Sequence, residues 1–350
     1  MWLIGIDEAG YGPKLGPLVV AATAWRWAEP HLSNPATLET EVSVDRITPD
    51  PFAPIATPVK VGETTIRVDD SKAVFRGGVL TTLGAIASVS AAAIGRTETT
   101  LRQWLPALLP RDFETIRRVA WLVDLAAIAN HEIELLQSGR TKLALQQWQT
   151  CDWKLIDVAA RMIDAASFNR FCGGDKPRGN KSDLLGETSI ELAGDLLDAV
   201  TVNGQPSVAP KSGNEQDPEC VQIFFDRHGG RRYYAGVIQA FFDCEPVRII
   251  DETKTQSVYE TVRHGRPVRL HFTVKGDRHV PVALSSLHAK YLREVAMASL
   301  NEYFRSAADE AGIDFRPTAG YPVDADRFLT MIRPLMKKMR ISDADLIRCR

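Results

Sequence analysis

Acidic residues stand at the ends of two apolar segments of the chain. Asp7 and Glu8 follow the short apolar run at residues 3–6, and Asp226 follows the run at residues 220–225. Runs of this length are typical of buried strands, so each acid is expected at the carboxyl edge of a sheet. If the two strands are neighbours, the acids emerge side by side, which is costly unless a hard cation such as Mg²⁺ or Mn²⁺ bridges them. The alternative is that isolated carboxylates at strand ends form turns or caps.

A hydroxyl, an ammonium group and a carboxylate share one face of a helix that the spacing predicts over residues 285–304. Ser286, Lys290 and Glu294 recur at intervals of four, and the opposite side of the segment is apolar. A solvated face with a Lys–Glu pair explains the same spacing. Ser71 and Lys72 precede a segment rich in alanine and leucine, where they either cap a helix or bind a phosphate.

The composition is that of a globular protein of 350 residues, with 45% hydrophobic and 25% charged residues. The 42 basic and 44 acidic residues give a net charge of -2, so any binding of nucleic acid must use local patches. The five cysteines form no C-x-x-C pair, which indicates neither a disulfide framework nor a zinc ribbon. With no signal-like start and no apolar run of about 18 residues, we expect a cytoplasmic protein without a membrane segment. The candidate basic patches contain Arg227, Arg231, Arg232, Lys275, Arg278, Lys337, Lys338 and Arg340.

Strand-like and helical segments alternate along the chain, which predicts one α/β domain over residues 1–350 built around a mixed sheet. Two elaborations are expected, an irregular or hairpin insert at 27–68 and a helical insert at 99–150. Two glycine-rich segments, at 10–16 and 174–182, are poor nucleotide-binding loops. A strand follows the first where a helix is needed, and the second has asparagine in place of the phosphate-binding lysine.

Short motifs in a fixed order resemble the type 2 ribonuclease H family, ribonuclease HII. No single motif is specific for this family, but the order of the motifs along most of the chain is specific for it. They are GIDEAGYGP at 5–13, DSK at 70–72, the pair Asn169 and Asn180, KGD at 275–277, the series Ser285–Ser286, Ala289–Lys290 and Arg293–Glu294, and GYP at 320–322.

The resemblance implies an RNase H-like fold, with a mixed five-stranded sheet flanked by helices and a helical, substrate-binding extension at 305–350. It implies that Asp7, Glu8, Asp226 and Glu294 are the catalytic acids, holding two Mg²⁺ or Mn²⁺ ions. It further implies that Ser71, Lys72 and Lys290 bind phosphates and that Tyr321 packs on a sugar. The complete set of implied substrate-binding residues is Gly10, Tyr11, Gly12, Lys14, Ser71, Lys72, Lys290 and Tyr321.

Three positions depart from the family pattern. The chain has Tyr11 where the family has arginine, Glu294 where it has aspartate, and Asp326 where it has histidine. A tyrosine cannot make the charged phosphate contact of an arginine. Lys14, in the same turn, is the residue expected to compensate.

The activity that the resemblance implies is hydrolysis of the RNA strand of RNA–DNA hybrids, or incision at ribonucleotides embedded in duplex DNA. One alternative is a weak or inactive hybrid-binding protein on the same fold, and another is a different metal phosphoesterase. The four acids favour an enzyme over a binding protein. Clustered negative charge repels the phosphates of a nucleic acid, so a protein that only binds nucleic acid gains nothing from it.

Overall fold

The fold was analysed in a computed structural model, which describes residues 1–27, 50–61, 64–75, 80–98, 100–122, 141–203 and 220–349. Parts of the two inserts expected at 27–68 and 99–150 therefore lie outside the described residues. Within the first insert the structure has a short helix and a two-stranded hairpin, and within the second it has short helices. None of the described helices is both long enough and apolar enough to span a membrane.

A mixed sheet of seven strands forms the centre of the fold, in the order β5-β2-β1-β6-β9-β8-β7. This is two strands more than the five that the resemblance implies. A separate hairpin pairs β3 with β4. The strands are β1 (Trp2–Ala9), β2 (Leu18–Trp27), β3 (Val59–Val61), β4 (Thr64–Ile66), β5 (Trp153–Ile163), β6 (Val221–Asp226), β7 (Arg248–Glu252), β8 (Gln256–Arg263) and β9 (Arg266–Thr273).

The register of two central strands determines where the acidic residues lie. β1 pairs in parallel with β6, and Ile6 lies opposite Phe225. The next residues along the two strands are Asp7 and Asp226, so both emerge at the same carboxyl edge. Side chains alternate between the faces of a strand, and both acids therefore lie on the face opposite to buried Ile6 and Phe225.

Helices cover both faces of the sheet. They are α1 (Ala53–Ala56), α2 (Ser71–Val74), α3 (Leu80–Ala93), α4 (Leu101–Leu108), α5 (Phe113–Ile116), α6 (Lys142–Gln149), α7 (Ala165–Cys172), α8 (Lys181–Asn203), α9 (Ala235–Phe241), α10 (Val280–Ala311), α11 (Pro322–Met339) and α12 (Asp343–Leu346). One core cluster joins α8 and α9 to one face through Ile4, Ile6 and Phe225. A second cluster joins α10 to the other face and extends to α3 and α11.

The first turn of α10 lies directly on β1, and a glycine makes this approach possible. A Cβ atom on Gly5 would be 2.2 Å from the carbonyl carbon of Pro281. Ser285 donates a hydrogen bond of 2.8 Å to the Gly5 carbonyl, and Thr23 donates one of 2.9 Å to the Pro281 carbonyl. The helix begins at Val280 rather than near Ser285, since proline is well suited to the first turn of a helix. Because Ser286 follows Ser285 on α10, this contact also determines the position of Ser286 relative to the acids at the carboxyl end of β1.

Candidate active site

Backbone amides hold the two strand-end acids in place. Asp7 accepts a hydrogen bond of 2.7 Å from the amide of Glu8. Asp226 accepts one of 2.7 Å from the amide of Gly276. Asp7 is therefore held by the next residue of its own strand, and Asp226 by the turn that follows β9.

Carboxylates crowd this edge of the sheet. Burial raises the pKa of Asp7 to about 7; a hydrogen bond with Ser286 opposes the rise, and the charges of Asp226 and Asp277 add to it. Burial also raises the pKa of Glu8, and the charges of Asp7 and Asp226 raise it further. The pKa of Asp226 is raised by burial and by Asp277, although the Gly276 amide lowers it. We call Asp7, Glu8, Asp226 and Asp277 the acid cluster.

Asp277 belongs to this cluster because of an unusual backbone conformation just before it. Lys275 has a left-handed conformation with φ of 59°, which bends the chain after β9. A Cβ atom on Gly276 would be 2.8 Å from the Cα atom of Asp226, so only glycine allows the turn to lie this close. Asp277 is the aspartate of the KGD motif, for which the family resemblance implied no role.

Glu294, expected to be the fourth metal-binding acid, is paired with basic residues. Its Oε1 atom accepts hydrogen bonds from Lys290 Nζ at 2.8 Å and from an Arg293 guanidinium nitrogen at 2.6 Å. The structure therefore contains the Lys–Glu helix pair that was the alternative interpretation of this spacing. Asp277 is the better candidate for the fourth acid because its charge acts on both Asp7 and Asp226.

Hydroxyl and ammonium groups border the acid cluster. The Ser71 and Ser286 oxygens are 3.1 Å apart, and Ser286 also bonds to Asp7. Lys72 lies close enough to Asp226 for its charge to lower the pKa of that carboxyl group. Lys290 Nζ lies 4.8 Å from the centre of the Phe75 ring. The predicted phosphate-binding residues Ser71, Lys72 and Lys290 thus come from two different helices.

The turn between β1 and β2 carries four of the predicted substrate-binding residues. Gly10 has φ of 88°, and a Cβ atom there would be 2.5 Å from the Pro17 carbonyl oxygen. Gly12 is exposed and has open space around it. The ring of Tyr11 is covered on one side by Lys181, whose Nζ atom is 4.8 Å from its centre.

Lys14, predicted to compensate for the missing arginine, is paired with an acid. Its ammonium group forms an ion pair with Asp326 of α11, the residue at the third departure from the family pattern. The carboxylate neutralises the charge that was expected to replace the missing arginine. A different cation, Lys181 at the start of α8, lies over the Tyr11 ring.

Residues from the last part of the described chain hold this turn in place. The amides of Lys14 and Leu15 donate hydrogen bonds of 2.8 and 3.1 Å to the Gly320 carbonyl. The amide of Arg348 donates one of 3.0 Å to the Lys14 carbonyl, and its guanidinium group bonds to the Pro13 carbonyl. The role of Arg348 could not be predicted from the sequence, because a single arginine at position 348 carries no signal of a contact with residues 13–14.

Tyr321 of the GYP turn is 51% exposed, and its ring lies 5.6 Å from the guanidinium carbon of Arg293. Arg293 is itself buried and also donates a hydrogen bond of 2.8 Å to the Ala319 carbonyl. Its Cδ atom would lie 3.0 Å from a Cβ atom on Gly10. Arg293 therefore connects the exposed tyrosine, the glycine turn and Glu294.

Comparison with known proteins gives matches among solved structures only. No protein-family model matches the chain, and no curated protein matches significantly. The chain is similar to the ribonuclease H2 of Pyrococcus horikoshii OT3, with 13% identity, 99% of this chain and 92% of that chain covered, and a TM-score of 0.35. It is also similar to the RNase HII of Archaeoglobus fulgidus in complex with PCNA, with 14% identity, 100% of this chain and 95% of that chain covered, and a TM-score of 0.36. A third similar structure is Bst-RNase HIII in complex with Mn²⁺, with 16% identity, 99% of this chain and 66% of that chain covered, and a TM-score of 0.37. Similarity at this level assigns no role to any residue of this chain.

The donor atoms of the acid cluster match the chemistry of a hard divalent cation. All four members offer carboxylate oxygens, and burial together with mutual repulsion raises the pKa of three of them. Among the described residues, no three His, Cys, Asp or Glu side chains are already arranged to hold one ion. A bound cation would relieve the repulsion, and the carboxylates that it draws together would be those of Asp7, Glu8, Asp226 and Asp277.

Replacing Gly276 by alanine is expected to disturb the acid cluster without removing an acid. The new Cβ atom would lie 2.8 Å from Asp226 Cα and 3.0 Å from Asp226 N, so the turn must move away from β6. We expect a loss of about 1–3 kcal/mol in the free energy of unfolding. Any activity that depends on the acid cluster should fall at least about tenfold, since small displacements of catalytic groups are costly.

The matched control is Gly236→Ala in α9, where the added Cβ atom meets nothing within 4 Å. This variant should equal or exceed the parent in stability, because alanine favours helix. Urea unfolding measures the stability, and initial rates on the RNA–DNA hybrids that the family resemblance implies as substrate measure the activity. A Gly276→Ala variant with the activity of the parent would contradict this account of the turn.

Proposed function

We propose that this protein is a metal-dependent endonuclease that hydrolyses the RNA strand of RNA–DNA hybrids or incises duplex DNA at embedded ribonucleotides. The observation that carries the proposal is the acid cluster at the carboxyl edge of β1 and β6, bordered by Ser71, Lys72 and Ser286. Carboxylates bind divalent cations, and lysine and hydroxyl side chains bind phosphates. A site that contains both kinds of side chain is suited to the metal-dependent hydrolysis of a phosphodiester. The order of the sequence motifs supports the same substrate class.

In this proposal Asp7, Glu8, Asp226 and Asp277 hold two Mg²⁺ or Mn²⁺ ions. Bound ions supply an activated water and stabilise the leaving 3′-oxygen of an in-line displacement. Ser286 holds the Asp7 carboxyl group in position, and the Gly276 amide does the same for Asp226. Lys72 and Ser71 bind the phosphate next to the acids, and the exposed ring of Tyr321 packs on a sugar.

A purely hybrid-binding role is the weaker alternative. Buried carboxylates that repel one another destabilise the protein and repel phosphates, so they are a cost for a protein that only binds. The acid cluster serves an enzyme better, because bound cations reverse both effects.

The test is cleavage of four labelled duplexes of the same sequence: an RNA–DNA hybrid, a DNA duplex with one ribonucleotide, all-DNA and all-RNA. We expect cleavage of the first or second duplex with Mg²⁺ or Mn²⁺, and none with EDTA. Asp226→Asn should abolish cleavage while the circular dichroism spectrum stays that of the parent. Equal cleavage of all four duplexes, or cleavage in EDTA, would overturn the proposal.

A further inference from the structure

Two pairs of a cation and an aromatic ring lie on the α8 side of the acid cluster. Lys181 Nζ is 4.8 Å from the centre of the Tyr11 ring. The guanidinium carbon of Arg232 is 5.7 Å from the centre of the Tyr233 ring, and Tyr233 is 64% exposed. An exposed tyrosine next to an arginine offers both a flat apolar surface and a positive charge.

The two pairs belong to one continuous surface. The loop at 227–232 follows β6, and Gly229 in this loop faces the Tyr11 ring, which would lie 4.0 Å from a Cβ atom on that glycine. Arg231, in the same loop, donates a hydrogen bond of 3.1 Å to the Ser182 carbonyl at the start of α8. We call Tyr11, Lys181, Arg231, Arg232 and Tyr233 the basic–aromatic strip.

The strip begins at the acid cluster. Tyr11 follows Glu8 by three residues, and after burial the charge of Glu8 is the largest influence raising the pKa of Tyr11. The loop that carries Arg231 and Arg232 starts directly after Asp226. A polymer bound across the acid cluster would therefore continue onto the strip on this side.

The charges of the strip are available to a ligand. Among the described residues, no carboxylate is paired with Lys181 or Arg232, whereas Arg231 lies 3.5 Å from Asp183. Asp183 also accepts a hydrogen bond from the backbone amide of Asn180, just before the start of α8. The strip thus has three basic residues against one acid.

Another basic residue of the same loop is not available. Arg227 is buried, and its guanidinium group donates hydrogen bonds to the Lys254 and Thr253 carbonyls and to Ser257. Arg227 was one of the candidate basic-patch residues, but these internal hydrogen bonds occupy its guanidinium group. Arg232 and Lys181 are the residues that face outward.

We propose that the basic–aromatic strip binds the nucleic-acid strand that flanks the cleaved bond, with phosphates on Lys181 and Arg232 and a sugar on Tyr233. This inference rests on the proposed function, which places a phosphodiester over the acid cluster. Cations next to an exposed ring suit the backbone of a duplex, since the cations bind the phosphates and the ring packs on a sugar between them.

The test is binding of a fluorescein-labelled RNA–DNA hybrid of 20 base pairs, followed by fluorescence anisotropy in EDTA at several salt concentrations. We expect Lys181→Ala and Arg232→Ala to weaken binding by about three- to tenfold and to reduce the slope of log K against log salt by about one. Tyr233→Ala should weaken binding by about fivefold or more at an unchanged slope, because packing on a sugar releases no counterions. Lys142→Ala, at an exposed lysine of α6, is the matched control.

The outcomes separate the strip from the proposed function. If the parent cleaves the hybrid but all three strip variants bind it as Lys142→Ala does, the strip proposal is overturned and the function stands. If the parent cleaves nothing but the strip variants bind the hybrid more weakly, the function falls and the strip stands. A parent that binds poly-glutamate but no hybrid would assign the strip to an acidic protein partner and overturn the proposal.

Discussion

Asp277→Asn is expected to reduce cleavage by about 10²- to 10³-fold, the loss typical of removing one electrostatic contact to a reacting group. Asp277 acts on the pKa of both Asp7 and Asp226, so its carboxylate contributes directly to the negative charge that would attract cations. Asparagine keeps the size of the side chain and removes the charge. Cleavage rates at saturating hybrid, measured over a range of Mg²⁺ concentrations, should show a lower kcat and a higher Mg²⁺ concentration at half-maximal rate.

Glu294→Gln is the matched comparison, because it neutralises the acid that the family resemblance would place in this role. Glutamine can still accept hydrogen bonds from Lys290 and Arg293, so we expect kcat to stay within about threefold of the parent. The free energy of unfolding should fall by about 1 kcal/mol, as the hydrogen bonds lose their charge assistance. The reverse ranking of the two variants would restore Glu294 as the fourth acid and remove Asp277 from the acid cluster.

Asp7→Asn is expected to abolish cleavage and to stabilise the metal-free protein. Asp7 is 9% exposed and lies beside two other acids, so its ionised form is costly in the folded state. Asparagine removes that repulsion, and we expect a gain of about 1–2 kcal/mol at pH 8 in EDTA. In a protein of this size, this corresponds to a melting temperature higher by a few degrees.

Differential scanning fluorimetry with and without Mg²⁺ measures this effect. Added Mg²⁺ should raise the melting temperature of the parent, since a ligand of the folded state stabilises it, and should change that of the variant much less. Asp314→Asn is the control, because Asp314 is 88% exposed and its loss should matter little. An Asp7→Asn protein that melts below the parent in EDTA would show that the acid cluster is not under electrostatic strain.

The position of the strand-end acids could be predicted from sequence because a single short segment contains the whole signal. An apolar run that ends in an acid indicates both a buried strand and the edge at which its acid emerges. Asp7 and Asp226 meet this description, and the parallel pairing of β1 with β6 places them together. The same reasoning cannot find Asp277, because its place depends on the left-handed conformation of Lys275 and on the close approach of Gly276 to β6.

Contacts between distant residues account for most of what the sequence did not reveal. β8 contains Arg263, which looks like a surface residue in the sequence but is buried and paired with Asp198 of α8 at 2.6 Å. Without that partner, the segment has the composition of a polar excursion. Lys181 and Lys14 present the same difficulty, because their partners Tyr11 and Asp326 are remote in sequence.

The turn that carries Tyr11 has a consequence for synthesis of the protein. Residues 10–17 are made before the groups that bond to residues 13–15, which come from Gly320 and Arg348. At about 5–20 residues per second, translation needs tens of seconds to supply them. The acid cluster likewise waits for Asp226 and Asp277. We therefore expect the site to stay unfinished in a nascent chain until residue 348 has left the ribosome, so any activity that depends on this site would begin only then.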